Sequence, residues 1–211
     1  MTTNQQASTP LALTLGNAVE QHLQDLAPAL TSLGRHTEVL ASWGASLARV
    51  LWAGGRLLVA GNGGSAAEAQ HLSAEIVGRY LGERPAFSAL ALHADSSAMT
   101  AIGNDYGYAC VFSRQVAAHG RPGDLLLLLS TSGRSENLLR AASEGQTRGM
   151  LTWAMTGELP NPLAALANET IALSGTSASV QEAQLVAIHA LCACFDLEIQ
   201  KLEGEERAAM P

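Results

Sequence analysis

Positive charge, aromatic side chains and cysteine are all scarce in this chain. Its 211 residues include 12 Lys and Arg against 19 Asp and Glu, a formal charge of −7. That balance argues against general attraction to nucleic acid or to anionic membranes. A small anion is not excluded, because backbone N–H groups outweigh the net field at short range. Aromatics are 4% of the chain, and alanine, leucine and glycine dominate, as in a helix-rich α/β protein. The three cysteines, Cys110, Cys192 and Cys194, lack metal-site spacing. Cys192 and Cys194 lie in an apolar helical stretch and read as buried, inert thiols. No apolar run is long enough to cross a bilayer, and "MTTNQQASTP" has neither the basic nor the apolar block of a signal peptide. These absences leave a cytoplasmic enzyme as the expectation.

What is present is a regular alternation. Residues 1–10 read as disordered, and residues 11–211 as one domain with a helical amino-terminal arm over 11–54. In that arm Val19, Leu23 and Leu26, then Leu40, Trp43, Leu47 and Leu51, recur at helical spacing. The pattern gives two helices, broken near "SLGRHT", the second closed by Gly54-Gly55. Beyond it, short apolar runs at 56–61, 87–93, 124–131, 150–157 and 169–175 predict five strands. Helices are predicted between most of them, at 65–80, 96–119 in two pieces, 135–148 and 161–167, and a last one at 178–202. Continuous apolar strands alternating with helices predict a five-stranded parallel sheet covered on both faces.

In such sheets ligands bind beyond the carboxyl ends of the strands. Two of the loops leaving those ends are rich in glycine and hydroxyls. "GNGGS" (61–65) matches neither the dinucleotide fingerprint nor the P-loop, since the glycine spacing differs and no lysine follows. Its glycines allow close backbone approach to a ligand, and Ser65 is placed to cap the next helix; a plain strand-to-helix corner is the alternative. "STSGRSEN" (130–137) carries Ser130, Thr131, Ser132 and Ser135 ahead of helical sequence. A cap needs one hydroxyl. Four at the positive end of a helix suit a phosphate.

The helix after the first loop carries His71 and Glu75 four residues apart, hence on one face. The carboxy-terminal helix carries Gln181 and His189, eight apart and again on one face. A carboxylate and an imidazole on these two helices would, if the helices meet, flank a sugar carbon as base and acid. With Gln181 they also form an N/O set suited to zinc. Taken alone, His189 reads as readily as a structural histidine in an apolar helix.

Together these motifs make the chain similar to the sugar isomerase (SIS) domain family, and more narrowly to the bacterial phosphoheptose isomerases. The residues carrying the resemblance are "GNGGSAAEAQHLSAEIVGRY", "RP" at 84–85, "AIGNDYGY", "FSRQV", "GDLLLLLSTSGRSEN" and "VQEAQLVAIHAL", in the family's order. The resemblance implies a flavodoxin-like SIS fold and conversion of sedoheptulose 7-phosphate to D-glycero-D-manno-heptose 7-phosphate, in the synthesis of cell-surface glycan precursors. It implies Glu75 and His189 as the acid/base pair and zinc held by His71, Glu75, Gln181 and His189. Substrate contacts would come from Asn62, Gly63, Gly64, Ser65, Glu75, Asn104, Asp105, Ser130, Thr131, Ser132, Ser135 and Gln181. "NDYG" also reads as a simple turn. A homotetramer with sites between subunits is implied too, with no nucleotide, nucleic acid or membrane partner. Ala178 stands where some members carry aspartate, and Ala66-Ala67 replace more polar residues. The alternative is a non-catalytic SIS relative that binds the replication initiator DnaA. That relative lacks the glutamate and histidine matching Glu75 and His189.

Overall fold

Alternate residues along each central strand face opposite ways, and the chain supplies a helical layer for each face. The computed structural model describes residues 14–209. The expected disorder of residues 1–10 lies outside them. Five strands, β1 (Leu57–Gly61), β2 (Ala89–Ala91), β3 (Leu125–Ser130), β4 (Leu151–Thr156) and β5 (Glu169–Ala172), form one sheet. All neighbouring pairs are parallel, in the order β2-β1-β3-β4-β5. This is the flavodoxin-like doubly wound order. Its direction reverses between β1 and β3, so the cleft outside their carboxyl ends is the expected ligand position.

The helices are α1 (Leu15–Leu33), α2 (Thr37–Trp52), α3 (Gly64–Val77), α4 (Ser96–Tyr106), α5 (Ser113–His119), α6 (Glu136–Thr147), α7 (Pro162–Leu166) and α8 (Ser177–Ala209). Leu57, Val59, Leu125, Leu127 and Leu129 pack with α1, α2, α3 and α8, whereas Leu58, Ala60, Leu126 and Leu128 pack with α5, α6 and α7. That two-sided burial is why the strands read as unbroken apolar runs. Among the described residues, no helix is long and apolar enough to cross a membrane.

The predicted break between α1 and α2 is a 3-10 turn at Gly34–His36. Gly54, at φ +86°, ends α2 as expected. The Gly55 N–H donates to the Val50 carbonyl (2.9 Å) and the Gly54 N–H to that of Leu51 (3.0 Å), which is a Schellman closure. The predicted strand at 87–93 shrinks to three residues at the sheet edge, and the last helix runs to Ala209 rather than 202. α2 crosses α8 closely: a Cβ on Gly44 would lie 2.4 Å from that of Cys194. The Trp43 and Trp153 rings stack at 4.4 Å and bind α2 to β4. Cys192 is buried as expected, and burial raises its thiol pKa to about 12, so it stays protonated and inert. Cys194 departs from the expectation and is only half-buried.

Candidate active site

The two serine/glycine loops leave β1 and β3, adjacent strands, and so meet at the reversal of strand order. Between them lies a cavity of about 80 Å³ lined by Asn62, Ser65, Leu129, Ser130, Thr131, Ser132, Ser135 and Gln181. All but Leu129 are residues singled out from the sequence. The Gly133 N–H donates to Ser130 Oγ (3.0 Å) and the Arg134 N–H to Ser132 Oγ (3.2 Å), so the loop curls on its own hydroxyls. Ser135 occupies the N-cap of α6 but makes no side-chain capping bond there, which leaves its hydroxyl available to a ligand. Gly133 has φ +61°, and a Cβ there would meet Asn161 Oδ1, so the curl requires glycine.

The first loop corrects one expectation. The N-cap of α3 is Gly63, at φ +57°, and Ser65 does not cap the helix. Ser65 is buried and donates to Gln184 Oε1 (3.2 Å), while Gln184 Nε2 donates to the Met155 carbonyl (2.9 Å). Gly64 lies directly beneath Gln181: a Cβ there would sit 2.5 Å from Gln181 Oε1. A small residue at the start of α3 is therefore what lets α8 bring Gln181 to the loop.

Asn62 joins the two loops. It exchanges two amide bonds with the buried Asn137 (3.0 and 2.9 Å), and Tyr108 donates its hydroxyl to Asn62 Oδ1 (3.0 Å). Neither partner was singled out from the sequence. Asn137 ends the quoted "STSGRSEN", but its pairing is with a residue 75 positions away, which no local pattern reveals.

The helical pairs also converge. His71 Nε2 lies 3.1 Å from His189 Nε2 and 3.3 Å from Glu75 Oε1. Tyr80 stacks on the His189 ring at 5.4 Å. α3 and α8 thus bring the Glu75 carboxylate and two imidazoles into one cluster. A tetrahedral zinc with bonds of about 2.0–2.1 Å holds neighbouring donors about 3.3 Å apart. Both contacts of His71 have that spacing, and the donors are of the type zinc takes. Among the described residues, no three His, Cys, Asp or Glu groups form a complete ready-made metal cage. The two contacts of His71 have the spacing of tetrahedral edges, and a zinc there would need the neutral oxygen of Gln181 to complete its ligand set.

The hydrogen bond made by Asn104 and Asp105 is to each other and not to this cluster. They end α4, both exposed, with Asn104 Nδ2 donating to Asp105 Oδ1 (2.8 Å). They form the last turn of a helix, not the start of a free-standing loop turn.

Glu68 is a further acidic group on the same face of α3, three residues before His71 and seven before Glu75. Its Oε2 is buried without a partner, and desolvation lifts its pKa to about 8. Its helical spacing with His71 and Glu75 was a signal available in the sequence. A raised carboxyl pKa contributes stability that is whole below the unfolded value near 4.5 and is lost as pH rises through about 8. Glu68→Gln removes that loss. In chelator-treated protein its thermal midpoint is expected to gain on wild type steadily between roughly pH 5 and 8. Parallel pH curves for the two proteins would contradict the assignment.

A family model described as "SIS domain" matches residues 21–157. The phosphoheptose isomerase of Streptomyces coelicolor is 54% identical over 198 residues, covering 93% of this chain and 86% of that protein. That of Bradyrhizobium sp. strain BTAi1 is 43% identical, covering 87% and 94%. Among solved structures, phosphoheptose isomerase GmhA from Neisseria gonorrhoeae superposes with a TM-score of 0.78 at 38% identity, covering 87% of this chain and 99% of that one. A phosphoheptose isomerase from Francisella tularensis gives 0.80 at 33% identity, covering 88% and 100%.

Proposed function

The chain belongs to the SIS domain family and, within it, to the phosphoheptose isomerases, and from that premise we propose that it converts sedoheptulose 7-phosphate to D-glycero-D-manno-heptose 7-phosphate through an enediol. It is a sugar phosphate isomerase of heptose biosynthesis. The observation that carries the finer reading is the meeting of Glu75 and His189, through His71, beside a hydroxyl-lined loop at the start of α6.

The phosphate enters the cradle of Ser130, Thr131, Ser132 and Ser135, where hydroxyls and the positive end of α6 hold a dianion. Asn62, Gly63, Gly64, Ser65 and Gln181 line the path from there toward α3 and α8. Glu75 removes the C1 proton of the ketose as a carboxylate and, after exchange with solvent, delivers a proton to C2. His189 manages the oxygen protons, giving one to O2 as the carbonyl is consumed and taking one from O1 as the aldehyde forms. Negative charge developing on oxygen needs a stabilising partner. His71, Glu75, Gln181 and His189 would hold a zinc ion. When bound, it supplies Lewis-acid polarisation of the substrate oxygens. A carboxylate has two oxygens, so a ligand role and a base role for Glu75 are compatible.

Two features support assembly of this chain with copies of itself, in the reading a homotetramer with sites between subunits. Leu15, Val19 and Leu23 recur every fourth residue along α1 and are exposed, as are Leu185, Val186 and Leu197 on α8. Asn104 and Asp105, exposed and bonded to each other, would be free to serve a site completed by a neighbouring copy.

The purified chain is expected to convert sedoheptulose 7-phosphate to an aldose 7-phosphate. A chelator should lower kcat at least about ten-fold, and added zinc should restore it. Full activity in the chelated enzyme would remove zinc from the reading. No aldose under any metal condition, with the protein folded, would remove the reaction itself.

A further inference from the structure

The "RP" pair at 84–85 has no part in the chemistry above, yet Arg84 is the most completely enclosed charge near it. Its side chain is 4% exposed. It lies in the segment after α3 and turns back onto that helix's end, where the last carbonyls lack intrahelical donors. Nη2 donates to the Glu75 carbonyl (2.6 Å), and Nη1 donates to those of Ile76 (3.1 Å) and Pro85 (3.0 Å). Nε donates to Asp196 Oδ1 on α8 (2.8 Å). The guanidinium carbon also lies 5.6 Å from the Phe87 ring centroid and 5.0 Å from that of Phe195, so aromatic side chains fix its position.

Asp196 follows His189 by seven residues, two turns along the same side of α8. One planar cation therefore grips the backbone of the residue that carries the base and the helix that carries the acid. We propose that Arg84 is a positioning residue for the isomerisation: shared between the Glu75 carbonyl and Asp196, it sets the separation of α3 and α8 and thereby that of Glu75 from His189. The inference rests on the acid/base reading of those two residues. Lysine cannot replace it, because an ammonium offers its three donors from a single point and lacks the planar fork that reaches both helices. Asp196 is the complementary half. Its Oδ2 is buried without a partner, so its negative charge depends on Arg84.

The test uses full-length Arg84→Lys, Asp196→Asn and the double variant, assayed well below each one's melting temperature. Small misplacements of reacting groups are expensive, up to about 10²-fold in rate. Arg84→Lys is expected to lower kcat by about 10- to 100-fold with KM within about two-fold of wild type, since the phosphate cradle is untouched. Asp196→Asn should shift kcat in the same direction, and the double variant should be no worse than the poorer single one. A purely structural role predicts lower thermal stability with kcat per folded molecule unchanged; that result overturns the proposal. So does a kcat loss matched by a proportionate rise in KM, or loss of fold in both single variants with activity tracking the folded fraction. Glu75→Gln in the same assay separates the two levels. If it is inactive while Arg84→Lys runs at the wild-type rate, the clamp alone fails; if Glu75→Gln is fully active, the acid/base reading fails first.

Discussion

Glu75→Gln and His189→Ala are each expected to reduce kcat by about 10²–10⁴-fold, the contribution of a positioned general base or acid, while the protein stays folded. In the proposed mechanism the first removes the group that takes a carbon-bound proton. In that mechanism the second removes the imidazole that moves protons between the substrate oxygens. Neither change opens the core. The Glu75 carboxylate contacts His71 at 3.3 Å, with the pair partly open to solvent, where such contacts contribute little to stability. His189 gives up its contacts with Tyr80 and His71 at the site surface. Thermal midpoints within a few degrees of wild type, together with lost turnover, are the expected pair of readings. Metal content measured on the same samples separates lost proton transfer from lost zinc. Full activity in both variants would end the acid/base assignment.

Gly157→Ala should act on the other half of the site. Gly157 follows β4, and a Cβ there would collide with the Thr131 carbonyl in the wall of the serine-lined cavity proposed to hold the phosphate. That oxygen is backbone and cannot rotate away, so the loop of Ser130–Ser132 must be displaced. The predicted result is a KM for the sugar phosphate raised at least ten-fold, with kcat changed less. Overpacking of this kind costs about 1–3 kcal/mol, which lowers the melting temperature by several degrees. Gly82→Ala is the control, because a Cβ there meets nothing within 4 Å. An unchanged KM in Gly157→Ala would place the phosphate elsewhere.

The sheet was legible because its strands are buried on both faces. Runs such as "LLLLLS" leave little room for another assignment, and five parallel strands with covering helices followed directly. The carboxyl-end loops were legible for a related reason: glycines and hydroxyls directly after a buried strand are costly unless something uses them. Local arithmetic also paired His71 with Glu75 and Gln181 with His189. What it could not supply was the distance between elements far apart in the chain, and each hidden feature depends on such a distance. Arg84 reaching Asp196, Ser65 reaching Gln184 and Asn62 reaching Asn137 span 112, 119 and 75 positions. Ser65 was misassigned as a cap for that reason. A serine just inside a helix looks like a cap until the buried glutamine that accepts its hydrogen bond is known. Glu68 differs, since its spacing was visible and its burial was not.

The most direct test of the central claim is proton exchange during turnover. Sedoheptulose 7-phosphate is incubated with the enzyme in D₂O, and the C1 and C2 positions are followed by NMR. Proton transfer by Glu75 through an enediol predicts an aldose 7-phosphate carrying solvent deuterium at C2, with gradual exchange into C1 of the remaining ketose. With Glu75→Gln, both product and exchange should vanish. Aldose formed at full rate by Glu75→Gln, with deuterium still entering, would contradict the account.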